Sequence, residues 1–277
     1  MDLIEFVPRL QQIHQWIDAC EIAPISKRKS TFMSIFEFTE EEVDELLYFG
    51  LIPLESSLET FRHALHQMKI HSVESFIQKT LIEVIHKYPL GKPIFVQLFP
   101  MNEHDTFGRE RLGGVSAWTN WEGDTIHLVV FPAKETLRAL KSTLVHEYNH
   151  LYRITAMQNG HAHITLLEKI IREGLAEHFV EEVLGKEFHG PWVNTLAEDN
   201  AKNLWHTLYS LHTTEIGEHT DSLLFGGGNT HLPLWAGYSL GYYLVKWYRQ
   251  SVTQPLSIID LTVQDCLKFI PSSQNFE

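Results

Sequence analysis

The sequence predicts an α+β fold, and three observations support this prediction. The first 90 residues contain several patterns of apolar side chains at helical spacing, short β-rich runs follow, and helical patterns return from residue 132 onward. Because strand runs and helical runs occupy separate stretches, we expect a small sheet in a mostly helical protein. The predicted domains are a helical N-terminal region, residues 1–90, and a second domain, residues 91–277. Within the second domain we predict the sheet and a long helix in residues 91–155 and a helical subdomain in residues 156–277.

The N-terminal region is predicted to consist of consecutive helices. Apolar side chains recur at helical spacing over residues 3–19, near residues 55–69 and near residues 73–88. Thr39 and Glu42 match a capping box, which predicts a further helix beginning after Thr39. This region contains no pattern of catalytic residues, so three interpretations stay open: a prodomain-like cover, a substrate-binding lobe or a scaffold.

Three β-rich runs predict the strands of the sheet. Residues 93–99 form the first run, residues 113–119 the second and residues 124–131 the third. Residues 120–123 offer a turn, so the second and third runs are predicted to form a hairpin. The long helix is predicted to begin at Pro132, because proline suits the first turn of a helix.

The charge balance disfavours two classes of partner. The chain has 22 Lys and Arg residues against 35 Asp and Glu residues, which gives a formal net charge of −13. Phosphate contacts need clustered Lys and Arg, so we expect neither a nucleic acid nor an anionic membrane surface as a partner. No run approaches the roughly 18 apolar residues of a membrane span. The oligomeric state stays open.

The cysteines and the first residues indicate the compartment. Cys20 and Cys266 are far apart and too few for a disulfide scaffold, so they are predicted to be free thiols in a reducing compartment. Acidic side chains lie at the N-terminus, where a signal peptide would carry basic ones. We therefore expect a cytoplasmic protein.

The strongest pattern in the chain is His-Glu-x-x-His at residues 146–150. Residues i and i+4 lie on one face of a helix, about 5–6 Å apart at Cβ, so His146 and His150 can both direct a ring nitrogen at one zinc ion. Glu147 is rotated by about 100° from His146, where it can take a proton from a zinc-bound water and pass it to a leaving amine. The pattern is typical of a metalloprotease helix. Apolar residues beside it predict the buried face of that helix: Leu137, Leu140, Leu144, Tyr148 and Leu151.

A catalytic zinc site usually has three protein ligands and one open position, so a third ligand is needed. The best candidate is Glu173, because the 22 residues between His150 and Glu173 allow one helix to end and a second to return to the metal. We predict this second helix over residues 164–184, with Gly185 as its C-cap. Glu177 lies one turn after Glu173 and is predicted to hydrogen-bond a ligand histidine. The alternative is a helix that is merely rich in glutamate.

The motif and its surroundings resemble a known group of enzymes. His-Glu-x-x-His followed about two dozen residues later by Glu-Gly-x-Ala-Glu resembles the gluzincin group of zinc metallopeptidases. With Gly-Gly-Val-Ser-Ala upstream and Gly-Tyr-x-x-Gly-Tyr downstream, the pattern resembles the YjaZ-like bacterial family of predicted zinc-dependent proteases. The similarity spans residues 92–248 and leaves the N-terminal third outside. It implies a zincin-like fold with one zinc ion per chain, bound by His146, His150 and Glu173.

The resemblance also implies which strand binds a substrate. In zincin-like folds an edge strand beside the metal helix binds a peptide in extended form, because its unpaired backbone groups can pair with the peptide. Residues 113–119 would be this strand, and its glycines would permit close approach of the backbone. The predicted substrate-binding residues are Gly113, Gly114, Val115, Ser116 and Ala117. An ordinary hairpin with a glycine-rich start is the alternative.

Peptide hydrolysis also needs a hydrogen-bond donor for the oxyanion. The resemblance implies a Tyr or His after the third ligand. Tyr238 is the first candidate, Tyr242 the second and His231 the third. The two tyrosines lie one turn apart in a helix predicted over residues 235–249, where aromatic packing in the core would explain either of them equally well.

The main hypothesis is therefore a zinc-dependent metallopeptidase in which Glu147 is the general base. A zinc hydrolase of a non-peptide substrate is one alternative, and a small closed pocket in place of a groove along residues 113–119 would favour it. A non-catalytic metal-binding or regulatory protein is the other, and a fourth protein ligand on the metal would favour it. Further helices are predicted over residues 196–215 and 261–270.

Overall fold

The computed structural model describes residues 3–157, 164–228 and 230–271. It has an α+β fold, as predicted, with a small mixed sheet in a mostly helical chain. The chain divides into two compact units, Met1–Glu147 and Tyr148–Glu277, and the division lies inside one long helix. The domain boundary predicted at residue 90 falls within the first of these units.

The sheet belongs to the first unit. Its strands among the described residues are β1 (Ile4–Phe6), β2 (Ile94–Pro100), β3 (Val115–Thr119) and β4 (Thr125–Val130). They lie in the order β1-β2-β4-β3, with β1, β2 and β4 parallel and β3 antiparallel to β4. The three predicted strand runs and the predicted hairpin are confirmed. As far as the chain is described, β3 pairs with β4 alone and lies at the edge of the sheet.

Strand β1 corrects the prediction of one helix over residues 3–19. It pairs parallel with β2, and helix α1 (Arg9–Cys20) begins only after Pro8. Pro8 disfavours helical backbone in the residue before it, which separates the strand from the helix. A strand of three residues is too short to be recognised in sequence beside a strong helical pattern.

Helices cover the region between β1 and β2. They are α1, α2 (Arg28–Phe36), α3 (Glu40–Tyr48), α4 (Leu58–Ile70) and α5 (Val73–Lys87). The predicted capping box is present, because Thr39 Oγ1 accepts a hydrogen bond from the Glu42 N–H at 3.2 Å and the Glu42 carboxylate accepts one from the Thr39 N–H at 2.7 Å. Aromatic side chains from these helices pack with Phe99 of β2 in one buried core: Trp16, Phe32, Phe36 and Phe61. This core, which the N-terminal helices provide, packs against the central strands of the sheet.

Helices make up most of the second unit. The long helix α6 (Thr136–Met157) enters it, followed by α7 (Leu166–Leu184), α8 (Glu198–Thr207), α9 (His219–Phe225), α10 (Ala236–Ser251) and α11 (Ile258–Thr262). Helix α7 matches its prediction, since Thr165 caps its start and Gly185, at φ 101°, ends it. The single terminal helix predicted over residues 261–270 is wrong, because α11 ends at Thr262 and a separate 3₁₀ turn follows. Likewise, α8 occupies only part of residues 196–215.

Two glycines bring α7 and α10 into backbone contact. A Cβ atom on Gly174 would overlap the carbonyl group of Gly241, and a Cβ atom on Gly241 would overlap the carbonyl oxygen of Ile170. Only glycine therefore fits at either position of this crossing. The crossing fixes the residues beside it, Glu173 on α7 and Tyr242 on α10.

The second half of α6 is anchored by polar side chains to the end of the chain. The Asn149 side-chain amide donates to Thr262 Oγ1 at 2.8 Å. Arg153, which is 2% exposed, donates to both carboxylate oxygens of Glu168 at 2.9 Å and also to the backbone carbonyls of Thr262 and Gln264. A bidentate Arg–carboxylate pair with further hydrogen bonds holds a helix in a defined rotation as well as position.

No helix in the described ranges is both long and apolar enough to cross a membrane.

Candidate metal centre

Helix α6 buries the face that the sequence predicted. Leu140, Leu144, Tyr148 and Leu151 are all fully buried, whereas Leu137, in the first turn, is half-buried. The helix begins at Thr136, four residues later than predicted, since a short turn at residues 134–135 separates Pro132 from it. The apolar stripe fixes the rotation of the helix, so the histidines beside the stripe have a fixed direction.

His146, Glu147 and His150 lie close together on this helix. They are 5%, 6% and 6% exposed, and one potential ligand atom from each lies within 4.8 Å of the others. Among the described residues this is the one group of three or more His, Cys, Asp or Glu side chains with such a geometry. The i, i+4 spacing therefore produces the arrangement that the sequence predicted, and the group could bind a metal ion.

Glu173 approaches the second histidine. Its Oε1 atom lies 3.6 Å from Nε2 of His150, and both side chains are largely buried. This separation exceeds a usual hydrogen bond of about 2.7–3.2 Å. Two ligands on a tetrahedral zinc with bonds of about 2.0–2.1 Å would be roughly 3.3–3.4 Å apart. The pair is thus spaced as two ligands of one ion would be, and the two imidazoles and carboxylate match the donor set that zinc prefers.

The general-base candidate has a partner that the sequence analysis did not identify. The Thr119 hydroxyl, at the end of β3, lies 2.8 Å from Oε2 of Glu147 and 3.2 Å from its backbone carbonyl oxygen. A threonine at the end of a predicted strand carries no signal for such a role. Only its place immediately before the turn of a hairpin that precedes the metal helix could have suggested the contact.

Gly113 and Gly114 lead into β3 and pack against the first turns of α6. Both have positive φ, 68° and 85°, which favours glycine. A Cβ atom added at Gly113 would lie 2.8 Å from the Cβ atom of Ala139, and one added at Gly114 would lie 2.7 Å from Thr136 Oγ1. The close approach that the glycines permit is therefore to the helix, and it places β3 beside α6. The three residues that follow, Val115, Ser116 and Ala117, belong to the edge strand itself.

Glu177 lies on α7, one turn after Glu173, and is 1% exposed. Its Oε2 atom accepts a hydrogen bond from the Gly190 N–H at 3.0 Å, which ties the segment after α7 back to the helix. The contact with a ligand histidine that the sequence predicted for Glu177 stays a prediction.

A second group of polar side chains, which we call the tyrosine network, joins α7 to α10. It consists of His178, Glu181, His189 and Tyr242. The Tyr242 hydroxyl donates to Glu181 Oε2 at 2.9 Å, and His189 Nε2 lies 3.1 Å from the same oxygen. His178 stacks on the Tyr242 ring at 4.4 Å, with its Nε2 3.0 Å from the Tyr242 carbonyl oxygen. The second oxyanion-donor candidate is therefore engaged with Glu181.

Burial changes the acid–base properties of this network. The pKa of His178 is lowered to about 4, chiefly by desolvation and also by the nearby Arg249, while the hydrogen bond to the Tyr242 carbonyl opposes this shift. Desolvation and the Glu181 carboxylate raise the pKa of Tyr242. Burial alone would raise the pKa of Glu181, but the Tyr242 hydroxyl and the nearby Lys186 lower it. His178 is thus a neutral, packed histidine at neutral pH.

The other two oxyanion-donor candidates lie elsewhere on or near α10. The ring of Tyr238 packs 5.6 Å from Trp192 and 5.5 Å from Phe225, measured between centroids. His231 is exposed in the segment before the helix. The choice among the three candidates stays a prediction.

The chain is similar to two proteins of Bacillus subtilis (strain 168). It is 30% identical over 145 residues to "Uncharacterized protein YjaZ", an alignment that covers 47% of this chain and 51% of that protein. It is 25% identical over 129 residues to "Uncharacterized protein YjfC", covering 44% of this chain and 43% of that protein. The chain thus spans about half the length of the curated relatives it matches. No solved structure matches it.

A family model matches much more of the chain. The family described as "Predicted Zn-dependent protease (DUF2268)" aligns with residues 67–270, which include both strands of the hairpin, the whole of α6 and α7, and α10. The resemblance to YjaZ-like proteins is confirmed by this match and by the two relatives. The chain belongs to the family of predicted zinc-dependent proteases.

Proposed function

We propose that this protein is a zinc-dependent metallopeptidase of the gluzincin type, with His146, His150 and Glu173 as the ligands of one zinc ion. The observation that carries the proposal is the buried group of His146, Glu147 and His150 on α6. The 3.6 Å separation between Glu173 Oε1 and His150 Nε2 supports Glu173 as the third ligand. Zinc in such a site lowers the pKa of a water molecule and polarises a carbonyl group.

Glu147 is the general base in this proposal. The side chain lies between the two histidines in sequence but points from a different side of the helix, so it need not be a ligand itself. Thr119 contacts Oε2, and we assign Oε1 as the atom that accepts a proton from the attacking water. The protonated carboxyl group can then return this proton to the leaving amine, a role that typically contributes about 10²–10⁴-fold to the rate.

Strand β3 is the proposed binding site for the substrate backbone. It lies at the edge of the sheet as described, and Thr119 at its end contacts Glu147 on the metal helix. A peptide added to this edge would therefore run close to the general base. For the oxyanion donor we favour Tyr238 over Tyr242, because the Tyr242 hydroxyl donates to Glu181. The expected cytoplasmic location is part of this proposal.

The test combines metal analysis with one substitution. Protein purified without chelator or metal-affinity resin is analysed for metal by mass spectrometry, and we expect about one zinc per chain for a site with three protein ligands. Activity is then followed on unfolded casein and on a pooled peptide library. Glu147→Gln should keep the zinc and lose activity by roughly 10²–10⁴-fold, because it cannot accept the proton.

Two results would contradict the proposal. Absence of zinc, with none bound on addition, would mean that the histidine pair is not a metal site. Full activity of Glu147→Gln would remove the general base. Cleavage of small esters or amides with no cleavage of any peptide would favour the zinc hydrolase of a non-peptide substrate.

A further inference from the structure

Thr119 and Glu147 form the closest side-chain contact to the proposed general base for which the structure gives a distance. The hydroxyl oxygen lies 2.8 Å from Oε2 and 3.2 Å from the backbone carbonyl oxygen of Glu147. We propose that Thr119 is a positioning residue that holds the Glu147 carboxyl group in the orientation required for proton transfer. This inference rests on the proposed function, because it assigns Thr119 a role through Glu147.

The backbone around Thr119 is well ordered by hydrogen bonds. Thr119 pairs with Ile126 in the β3–β4 ladder. In the turn that follows, Asn120 Oδ1 accepts hydrogen bonds from the N–H groups of Asp124 at 3.1 Å and Thr125 at 2.9 Å. A β-branched side chain on such a backbone has few rotamers. The hydroxyl group is therefore presented to Glu147 from a rigid element, as a positioning residue requires.

The contact suits a group that changes its protonation state. A hydroxyl that donates to an ionised carboxylate makes a charge-assisted hydrogen bond. When Oε1 carries the proton, Oε2 is still an acceptor, so the same contact persists. The carbonyl oxygen at 3.2 Å offers the hydroxyl hydrogen a second acceptor. Without the hydroxyl, the terminal torsion of glutamate has a broad energy profile and the carboxyl group can rotate away.

A merely structural tie between β3 and α6 would have different consequences. Its loss would lower stability and zinc binding, but it would not lower kcat while KM stays unchanged. A positioning role should lower kcat, since a misplaced catalytic group slows the chemical step. It should also be fulfilled by serine, which keeps the hydroxyl.

The experiment uses the full chain loaded with zinc and assayed on the peptide pool. Thr119→Val keeps the shape but removes the hydroxyl, and we expect kcat to fall roughly 10–100-fold, as is usual for partners of active-site groups, with unchanged KM and zinc content. Thr119→Ser should keep most of the activity. Thr80→Val is the matched control, because Thr80 is buried on α5, and it should keep wild-type activity.

A second measurement does not depend on a substrate. Melting temperatures are compared for the wild type, Thr119→Val, Glu147→Met and the double variant at matched zinc content. Methionine has no carboxylate to accept the hydrogen bond, although the backbone carbonyl oxygen of residue 147 remains as an acceptor. Thr119→Val should therefore lower the melting temperature in the wild type and have a smaller effect beside Glu147→Met. Additive shifts would overturn the proposed contact.

The outcomes separate this inference from the function on which it rests. Full activity of Thr119→Val beside an inactive Glu147→Gln would overturn the positioning role and leave the general base in place. Equal losses in Thr119→Ser and Thr119→Val would show that the hydroxyl is not the relevant group and would also overturn it. An active Glu147→Gln would remove the proposed general base, and the positioning role with it.

Discussion

The candidate metal group (His146, Glu147, His150 and Glu173) and the tyrosine network both combine His and Glu side chains but differ in their distances. In the metal group, the Glu173 carboxylate lies 3.6 Å from His150 Nε2. In the tyrosine network, Glu181 Oε2 lies 3.1 Å from His189 Nε2 and 2.9 Å from the Tyr242 hydroxyl. The first spacing suits two ligands of one ion, and the second suits direct hydrogen bonds.

In a chain with 17 histidines, metal ligands have to be distinguished from packed polar residues. His178 is as buried as His146, at 4% and 5% exposure, so burial does not distinguish them. What distinguishes them is the surroundings. His178 stacks on an aromatic ring and contacts a backbone carbonyl, whereas His146 has a second histidine and a carboxylate within ligand reach.

Removal of one carboxylate from each group tests whether only the candidate metal group binds zinc. Glu173→Ala should weaken zinc binding by more than the roughly 10–100-fold that loss of an outer-shell partner costs, because a direct ligand is lost. Glu181→Ala is the matched control on the same helix and should keep one zinc per chain while it lowers stability. Zinc affinity is measured by competition with a chelator.

Two results would contradict this assignment of the two carboxylates. Unchanged zinc affinity in Glu173→Ala would mean that the third ligand is another residue. Loss of zinc in Glu181→Ala would mean that the tyrosine network is part of the metal site.

A second change should disturb both groups at once. Glu173 and Tyr242 are the sequence neighbours of the two glycines at the α7–α10 crossing. A Cβ atom on Gly241 would overlap the Ile170 carbonyl oxygen. We expect Gly241→Ala to lower the free energy of unfolding by at least the roughly 1–3 kcal/mol of an overpacked core, because backbone must move. Gln250→Ala, at an exposed position of α10, should stay within about 0.5 kcal/mol of the wild type. Denaturant unfolding of both variants provides the measurement, and equal stability would contradict the close crossing.

The sequence was sufficient for features that depend on local spacing. The pairing of His146 with His150 follows from the helical repeat, and the capping box at Thr39 from two residues three positions apart. Helix α7 was predictable because Gly185 ends it. Glu173 needed more, namely the glycine-containing pattern of a known family around it.

Features that depend on contacts between distant segments were not predictable. The Thr119–Glu147 contact joins residues 28 positions apart, and no periodicity relates them. The glycines of the downstream pattern were recognised only as part of a motif, although their physical role is the close approach of α7 and α10. Strand β1 was not predicted because its pairing partner, β2, lies some 90 residues away in the sequence.

The neutral, buried state of His178 predicts a dependence of stability on pH. Its pKa is lowered from 6.5 to about 4 in the folded protein, chiefly by desolvation. Between these values the unfolded chain binds a proton that the folded chain does not, so stability falls as the pH falls. From pH 7 to pH 5 the loss should be about 2 kcal/mol, because the slope reaches about 1.4 kcal/mol per pH unit only below the pKa of the unfolded chain.

His178→Gln isolates this contribution. The variant should lose less stability than the wild type between pH 7 and pH 5, although His127 in the first unit, whose pKa desolvation also lowers to about 4, keeps part of the slope. His66→Gln, at an exposed position on α4, should retain the wild-type pH dependence. Urea unfolding at both pH values gives the comparison, and an unchanged slope in His178→Gln would contradict the neutral, buried state.

The smallest expected effect concerns Tyr242, which belongs to the tyrosine network by its contacts but was a candidate oxyanion donor by its sequence. Tyr242→Phe removes the hydrogen bond to Glu181 and should lower the free energy of unfolding by about 1 kcal/mol, because His189 remains beside that carboxylate. Its effect on kcat should be small beside that of Tyr238→Phe, which removes the donor we favour. A fall of about 10²-fold or more in kcat for Tyr242→Phe, the loss expected on removal of an oxyanion donor, would instead assign the oxyanion to Tyr242. Its hydroxyl would then have to leave Glu181 when a substrate binds, and the tyrosine network would be part of the active site.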